Sequence, residues 1–62
     1  MQKWIASVVG KMHTHKITQI ELANKIGIRR DYLNKILNGA ETPANAKERI
    51  TKALDEIIES KS

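Results

Sequence analysis

The most restrictive feature of this 62-residue sequence is the short link between two amphipathic segments. Residues 19–26 and residues 29–38 each place apolar side chains three and four positions apart, which is the pattern of a helix with one buried face. Only Gly27 and Ile28 separate the two segments. Two short helices joined so closely must cross at a steep angle rather than lie side by side. The sequence therefore predicts a bent pair of helices.

The first helix of this pair carries clear start and stop signals. The letters TQIE begin at Thr18 and form a capping box, in which the Thr18 side chain accepts from the Glu21 N–H and the Glu21 side chain reaches back. Ile17 and Leu22 flank this cap as a hydrophobic staple. Gly27 suits the left-handed conformation that ends many helices. These signals predict a helix that starts at 19 and stops at 26.

Two further helices are predicted, at residues 2–13 and 43–59. The last helix is expected to have Thr42 as its cap and Pro43 at its first position, where the missing N–H costs nothing. No segment has the alternating pattern of a strand. We therefore expect one all-α domain of four helices over residues 1–62.

The predicted core takes one apolar stripe from each helix. Its members are Met1, Trp4, Ile5, Val8, Val9, Met12, Leu22, Ala23, Ile26, Leu33, Ile36, Leu37, Ala46, Ile50, Ala53, Leu54 and Ile57. Tyr32 is expected at the edge of this core. Ile58 lies about 100° from the stripe of the last helix and is expected at the surface.

The charge of the chain is unevenly distributed. Residues 1–40 contain seven basic and two acidic residues, whereas residues 41–62 contain four basic and five acidic ones. One positive face is therefore expected, with nucleic acid as its first natural partner and an anionic membrane surface as its second. A membrane-surface helix needs its basic residues around a free apolar stripe, and here that stripe is needed for the core.

Several other functions are disfavoured by the residues present. The chain has no cysteine, which favours a reducing compartment, and we expect a location in the cytoplasm of a bacterium or of a phage-infected host cell. No apolar run approaches the length of roughly 20 residues that spans a membrane. His13 and His15 alone fall short of a metal-ligand set. No catalytic arrangement is recognisable, so we expect neither an enzyme nor a cofactor nor a small-molecule ligand.

The stretch QIELANKIGIRRDYLNKILNG, residues 19–39, resembles the helix-turn-helix of the Cro/cI-type phage repressors, also called XRE-type regulators. The residues that carry the resemblance are Gln19, Leu22, Ala23, Gly27, Ile28, Leu33, Ile36, Asn38 and Gly39. The resemblance implies a compact, lambda-repressor-like DNA-binding domain. In such a domain the second motif helix lies in the major groove of double-stranded DNA and presents its N-terminal residues to base edges.

The resemblance also assigns roles to individual residues. The base-reading positions correspond to Arg29, Arg30, Asp31, Asn34 and Lys35. The phosphate-binding positions correspond to Gln19 and Asn38, and the start of the fourth helix adds Thr42, Asn45 and Lys47. An arginine can hold guanine through O6 and N7, and Asn34 can pair with adenine. Asp31 has a structural alternative, since it favours the helix N-terminus and stands four residues before Lys35.

Arg29 departs from the family pattern. Family members commonly carry Ser or Thr at this position as the cap of the second motif helix. Loss of such a cap costs about 1 kcal/mol of stability. Arg29 is therefore either a base reader or a poor replacement for the cap.

These observations predict a sequence-specific, double-stranded DNA-binding transcriptional regulator. The resemblance favours a repressor of phage or mobile-element type that binds a pseudo-palindromic site as a homodimer, formed in solution or on DNA. The alternative is an antitoxin or interaction module of the same fold whose main partner is a protein. Trp4, Ile20 and Ile58 are the candidate contacts for such a partner or for a dimer.

Overall fold

The periodic apolar residues form four helices in the computed structural model, which describes residues 2–41 and 43–61. The helices are α1 (Lys3–Thr14), α2 (Gln19–Ile26), α3 (Arg30–Leu37) and α4 (Ala46–Lys61). The described residues contain no strand. The predicted all-α fold class is therefore confirmed.

The apolar faces of the helices meet in one core. The long helix α4 packs against α1 and α2, and α3 packs against α2. The largest fully buried side chains come from all four helices and are Ile5, Leu22, Leu33, Ile50 and Leu54. Burial of one such side chain contributes about 1.5–3 kcal/mol. No polar or charged side chain is buried within the described residues, so apolar packing holds the helices in place.

The edges of the core differ from the prediction. Val9 was expected inside but is 40% exposed, because the covered face of α1 is narrow and α4 is the main element packed against it. Trp4 and Ile26 are only partly buried. The expectation that Ile58 lies at the surface is wrong, since it is partly buried against the core. Met1 lies outside the described residues.

The first three helices end in the same way. In each, an N–H group beyond the helix donates to a carbonyl five residues earlier, which is the bond of the Schellman motif. The donor and acceptor pairs are Ile17 and Met12 at 2.8 Å, Ile28 and Ala23 at 3.0 Å, and Ala40 and Lys35 at 2.9 Å. The left-handed residues at these ends are Lys16, Gly27 and Gly39. Lys16, with a φ of 57°, was not predicted from the sequence.

The start of α4 lies later than the predicted position 43. The Ala46 N–H donates to the Pro43 carbonyl at 3.1 Å, and the Arg49 N–H donates to the Asn45 carbonyl at 3.0 Å. Pro43 therefore belongs to a turn that leads into the helix. The fixed φ of proline suits a turn as well as a first helical turn, so the sequence signal does not distinguish the two. The predicted cap, Thr42, is outside the described part of the chain.

The capping box of α2 is half formed. The Glu21 N–H donates to Thr18 Oγ1 at 3.1 Å, as predicted. The Glu21 carboxylate does not reach back but lies 3.4 Å from Lys61 Nζ, at the end of α4. Both side chains are well exposed, so this ion pair contributes about 1 kcal/mol at most. The staple residues Ile17 and Leu22 are both buried in the core.

Two glycine substitutions should change stability in opposite directions. Gly27→Ala should lower the free energy of unfolding by about 1–2 kcal/mol, because Gly27 has a φ of 90° that strains any side chain. Gly10→Ala, in the interior of α1, should raise it by about 0.5–1 kcal/mol. An added Cβ meets no atom within 4 Å at either site, so steric clash does not confuse the comparison. Urea unfolding followed by circular dichroism measures both, and equal signs would contradict this explanation.

Lys16→Gly should stabilise the domain. Lys16 is the left-handed residue after α1, and glycine adopts this conformation without the penalty of about 1 kcal/mol that a side chain incurs. Lys52→Gly is the matched control, because it removes the same charge from the interior of α4. It should lower the free energy of unfolding by about 1 kcal/mol. Thermal unfolding of the two variants at equal salt provides the measurement. A lower melting temperature for Lys16→Gly than for the parent protein would disprove the expectation.

Candidate nucleic-acid interface

The exposed surface of α3 is polar or charged except for Tyr32 at its edge. Leu33, Ile36 and Leu37 point into the core and determine the rotation of the helix. The opposite side then exposes Arg30, Asp31, Asn34 and Lys35, all of them predicted base-reading residues. Arg30 and Asn34 are four positions apart and therefore lie one above the other on the helix surface. Hydrogen-bond donors are thus presented in a row along one helix.

The fold brings the start of α2 beside this face. Thr18, Gln19, Ile20, Arg30 and Asn34 line one shallow depression between the two helices. Gln19 and Arg30 are 11 residues apart in the sequence, so the turn between the helices is what places them together. A predicted phosphate-binding residue therefore adjoins two predicted base readers. Ile20, which was not among the predicted site residues, belongs to the same depression.

Arg29 lies just outside the helix it was expected to start. It is the N-cap of α3, with extended backbone angles of −77° and 146°. Its carbonyl accepts from the Leu33 N–H at 3.1 Å, but its side chain makes no capping hydrogen bond. The free N–H groups of the first turn of α3 therefore have no side-chain cap. They remain able to donate to an anion.

Asp31 interacts with a different residue from the one predicted. Its Oδ1 atom lies 3.7 Å from Nη2 of Arg30, whereas the sequence pointed to Lys35. Both side chains are more than half exposed, so the pair is weak and readily exchanged for another partner. Asp31 also stands in the first turn of α3, where its negative charge favours the helix N-terminus.

Three of the other predicted phosphate-binding residues lie in other parts of the surface, and the fourth, Thr42, is outside the described part of the chain. Asn38 ends α3 and lines a depression that includes Gln2 at the start of α1. Asn45 borders the groove between α3 and the start of α4, and Lys47 is exposed on the outer face of α4. None of the three lines the depression between α2 and α3.

In residues 2–41 and 43–61, no group of three or more histidine, aspartate or glutamate side chains is arranged to hold a metal ion. No helix in this part of the chain combines the length and the apolar character needed to cross a lipid bilayer.

A bent helix pair that exposes such a face has the architecture of a DNA-binding domain. The sequence model of the helix-turn-helix family matches residues 14–55, more than half of the chain. The protein therefore belongs to the helix-turn-helix family, of the XRE-type, Cro/cI-like kind. The members of this family are regulators that bind double-stranded DNA, and the family is not an enzyme family. No curated protein and no solved structure matches the chain significantly.

The missing cap of α3 leads to a stability prediction. Arg29→Ser should raise the free energy of unfolding by about 1 kcal/mol, because a serine at this position can accept from the free N–H groups. Arg30→Ser removes the same charge from the first residue inside the helix, where serine cannot cap, and should have a smaller effect. Chemical unfolding compares the two variants. An equal gain for both would assign the effect to charge alone.

Proposed function

We propose that this protein is a sequence-specific transcriptional regulator, a repressor of phage or mobile-element type, that reads the major groove with α3. The observation that supports this most is the placement of Gln19 beside Arg30 and Asn34. A phosphate-binding group and two base-reading groups then face the same DNA segment. Phosphate contacts position the protein, and base contacts specify the sequence.

The size and chemistry of α3 suit this role. An α-helix with its side chains is about 10–12 Å in diameter, which fits the roughly 12 Å width of the major groove. The Arg30 guanidinium can donate two hydrogen bonds to O6 and N7 of guanine, and the Asn34 amide can pair with N6 and N7 of adenine. Lys35 and Arg29 supply further positive charge at the ends of this row. The Arg30–Asp31 pair opens at little cost when a base replaces the carboxylate.

The phosphate contacts are proposed at both ends of the motif. Gln19 at the start of α2 and Asn38 at the end of α3 bind the backbone on either side of the groove. Thr42 and Asn45, which precede α4, and Lys47, in the first turn of α4, add further contacts. Such contacts weaken with salt, because binding releases counterions from the DNA.

Two copies are proposed to bind a pseudo-palindromic site. One short recognition helix makes few base contacts, and a second copy doubles them. The longest Cα dimension of the domain is 31 Å, close to the roughly 34 Å between half-sites one helical turn apart. Two copies on one face of the DNA therefore touch each other only if the long axis of each domain lies parallel to the DNA axis.

The alternative of a protein-binding module has less support. Trp4 and Ile58, two of its three candidate contacts, are partly buried against the core, and the Trp4 Nε1–H donates to Gln2 Oε1 at 2.6 Å. Ile20 is left as the exposed member of that set, and its neighbours are the proposed DNA-contacting residues. DNA therefore accounts for the exposed residues better than a protein partner does.

Selection from a random pool of duplexes tests the proposal. We expect enrichment of a palindromic motif, with half-sites about one helical turn apart. Fluorescence titration of the selected duplex at two salt concentrations then separates specific from nonspecific binding. Binding with a salt slope but no selected motif would contradict sequence reading. Stable capture of a protein partner without any DNA motif would support the alternative.

Two substitutions should affect DNA binding in different ways. Arg30→Ala should relax the preference at one base position by about 1–3 kcal/mol. Gln19→Ala should weaken binding to all DNA sequences by the same factor. Lys11→Ala is the control for lost charge, because Lys11 pairs with Asp55 at 3.8 Å and has no proposed DNA contact. Titrations with the selected duplex and its single-base variants provide the comparison. An equal loss from Arg30→Ala and Gln19→Ala on every duplex would refute the assigned roles.

A further inference from the structure

Ile20 is the most exposed large apolar residue among those the structure describes. Its exposure is 57%, compared with 40% for Val9 and 38% for Tyr32. One exposed apolar residue needs no explanation by itself. The position of Ile20 is what distinguishes it, because it lies two residues after the cap of α2, in the depression that α2 shares with α3.

The fold itself makes little use of the Ile20 side chain. It is outside the core, and the Thr18 side chain already caps this end of α2. A β-branched residue has a slightly lower helix propensity than an unbranched one, so Ile20 does not favour helix formation either. A polar residue would serve α2 equally well. The apolar character of Ile20 therefore points to an external contact.

The neighbours of Ile20 indicate what it contacts. It shares the depression with Thr18, Gln19, Arg30 and Asn34, whose side chains all offer hydrogen bonds. This is the surface proposed above to face base edges and phosphates. Among the base edges in the major groove, thymine presents an apolar group, its C5 methyl. An isoleucine beside a guanidinium and an amide thus adds apolar recognition to a row of hydrogen-bond donors.

We propose that Ile20 is a specificity-determining residue that contacts the C5 methyl of a thymine in each half-site, beside the base read by Arg30 or Asn34. This inference rests on the proposed function. The DNA is then read by two helices, with polar contacts from α3 and one apolar contact from the start of α2. A protein contact through Ile20 and an unspecific contact with deoxyribose are the competing possibilities that the experiment must separate.

Replacing thymine with uracil removes only the methyl group and tests the contact directly. Each thymine of the selected duplex is replaced in turn, and dissociation constants are measured by fluorescence titration for the parent protein and for Ile20→Ala. At one thymine per half-site, the parent protein should bind the uracil duplex about fourfold more weakly, equivalent to about 0.8 kcal/mol for one buried methyl group. Ile20→Ala should bind the two duplexes equally.

Two further variants serve as controls. Ile20→Val keeps a β-branched apolar side chain and should retain most of the preference for thymine over uracil. Val9→Ala shortens the other strongly exposed aliphatic side chain, on α1, and should behave like the parent protein. Because Ile20 is exposed, thermal unfolding should show that Ile20→Ala is folded.

Four results would overturn the inference while leaving the proposed function intact. They are a selected motif without thymine, equal affinity of the parent protein for every uracil duplex, full thymine preference in Ile20→Ala, and a uniform loss by Ile20→Ala on all duplexes. The last would indicate a contact with deoxyribose. A selection that yields no motif would instead contradict the proposed function, and the inference with it. A changed oligomeric state of Ile20→Ala in sedimentation, with an unchanged thymine preference, would assign Ile20 to a protein interface.

Discussion

The left-handed turn at Gly27 is the constraint on which the interface depends. Its φ of 90° lets the N–H groups of Gly27 and Ile28 both donate to the Ala23 carbonyl and ends α2 abruptly. The chain then enters α3 after Arg29, with Leu22 and Leu33 fully buried on the two sides of the turn. These two side chains hold the crossing of the helices. Every residue of the α2–α3 depression takes its position from that crossing.

The start of α3 shows a conflict between local stability and the proposed role. Arg29 and Arg30 place positive charge at the positive end of a helix dipole, and Arg29 makes no side-chain cap. Asp31 compensates in part, through its position in the first turn and its pair with Arg30. Against DNA the same arrangement becomes favourable, because uncapped N–H groups and guanidinium groups all donate to acceptors. A helix end that is weak alone is thus suited to an anionic partner.

The success of sequence reasoning followed the strength of each local signal. The bounds of α2 were predictable because a capping threonine, a staple and a left-handed glycine all act within one helix. The later start of α4 was not, because Pro43 fits a turn and a helix start equally well. Lys16 was missed since its left-handed conformation is imposed by the burial of Ile17 and Met12 on either side rather than by its own preference. The exposure of Val9 and the partial burial of Ile58 were not predictable, because they depend on how much of α1 and α4 the neighbouring helices cover.

The sequence by itself determined the four amphipathic helices, the tight turn at Gly27 and the polar outer face of α3, because these follow from periodicity and from backbone preferences within a few residues. Only the tertiary structure decided that Gln19 and Ile20 border Arg30 and Asn34. Likewise, only the structure showed that Asp31 pairs with Arg30. The physical reason is that side-chain proximity across a turn depends on the angle between two helices, and core packing, not local propensity, sets that angle.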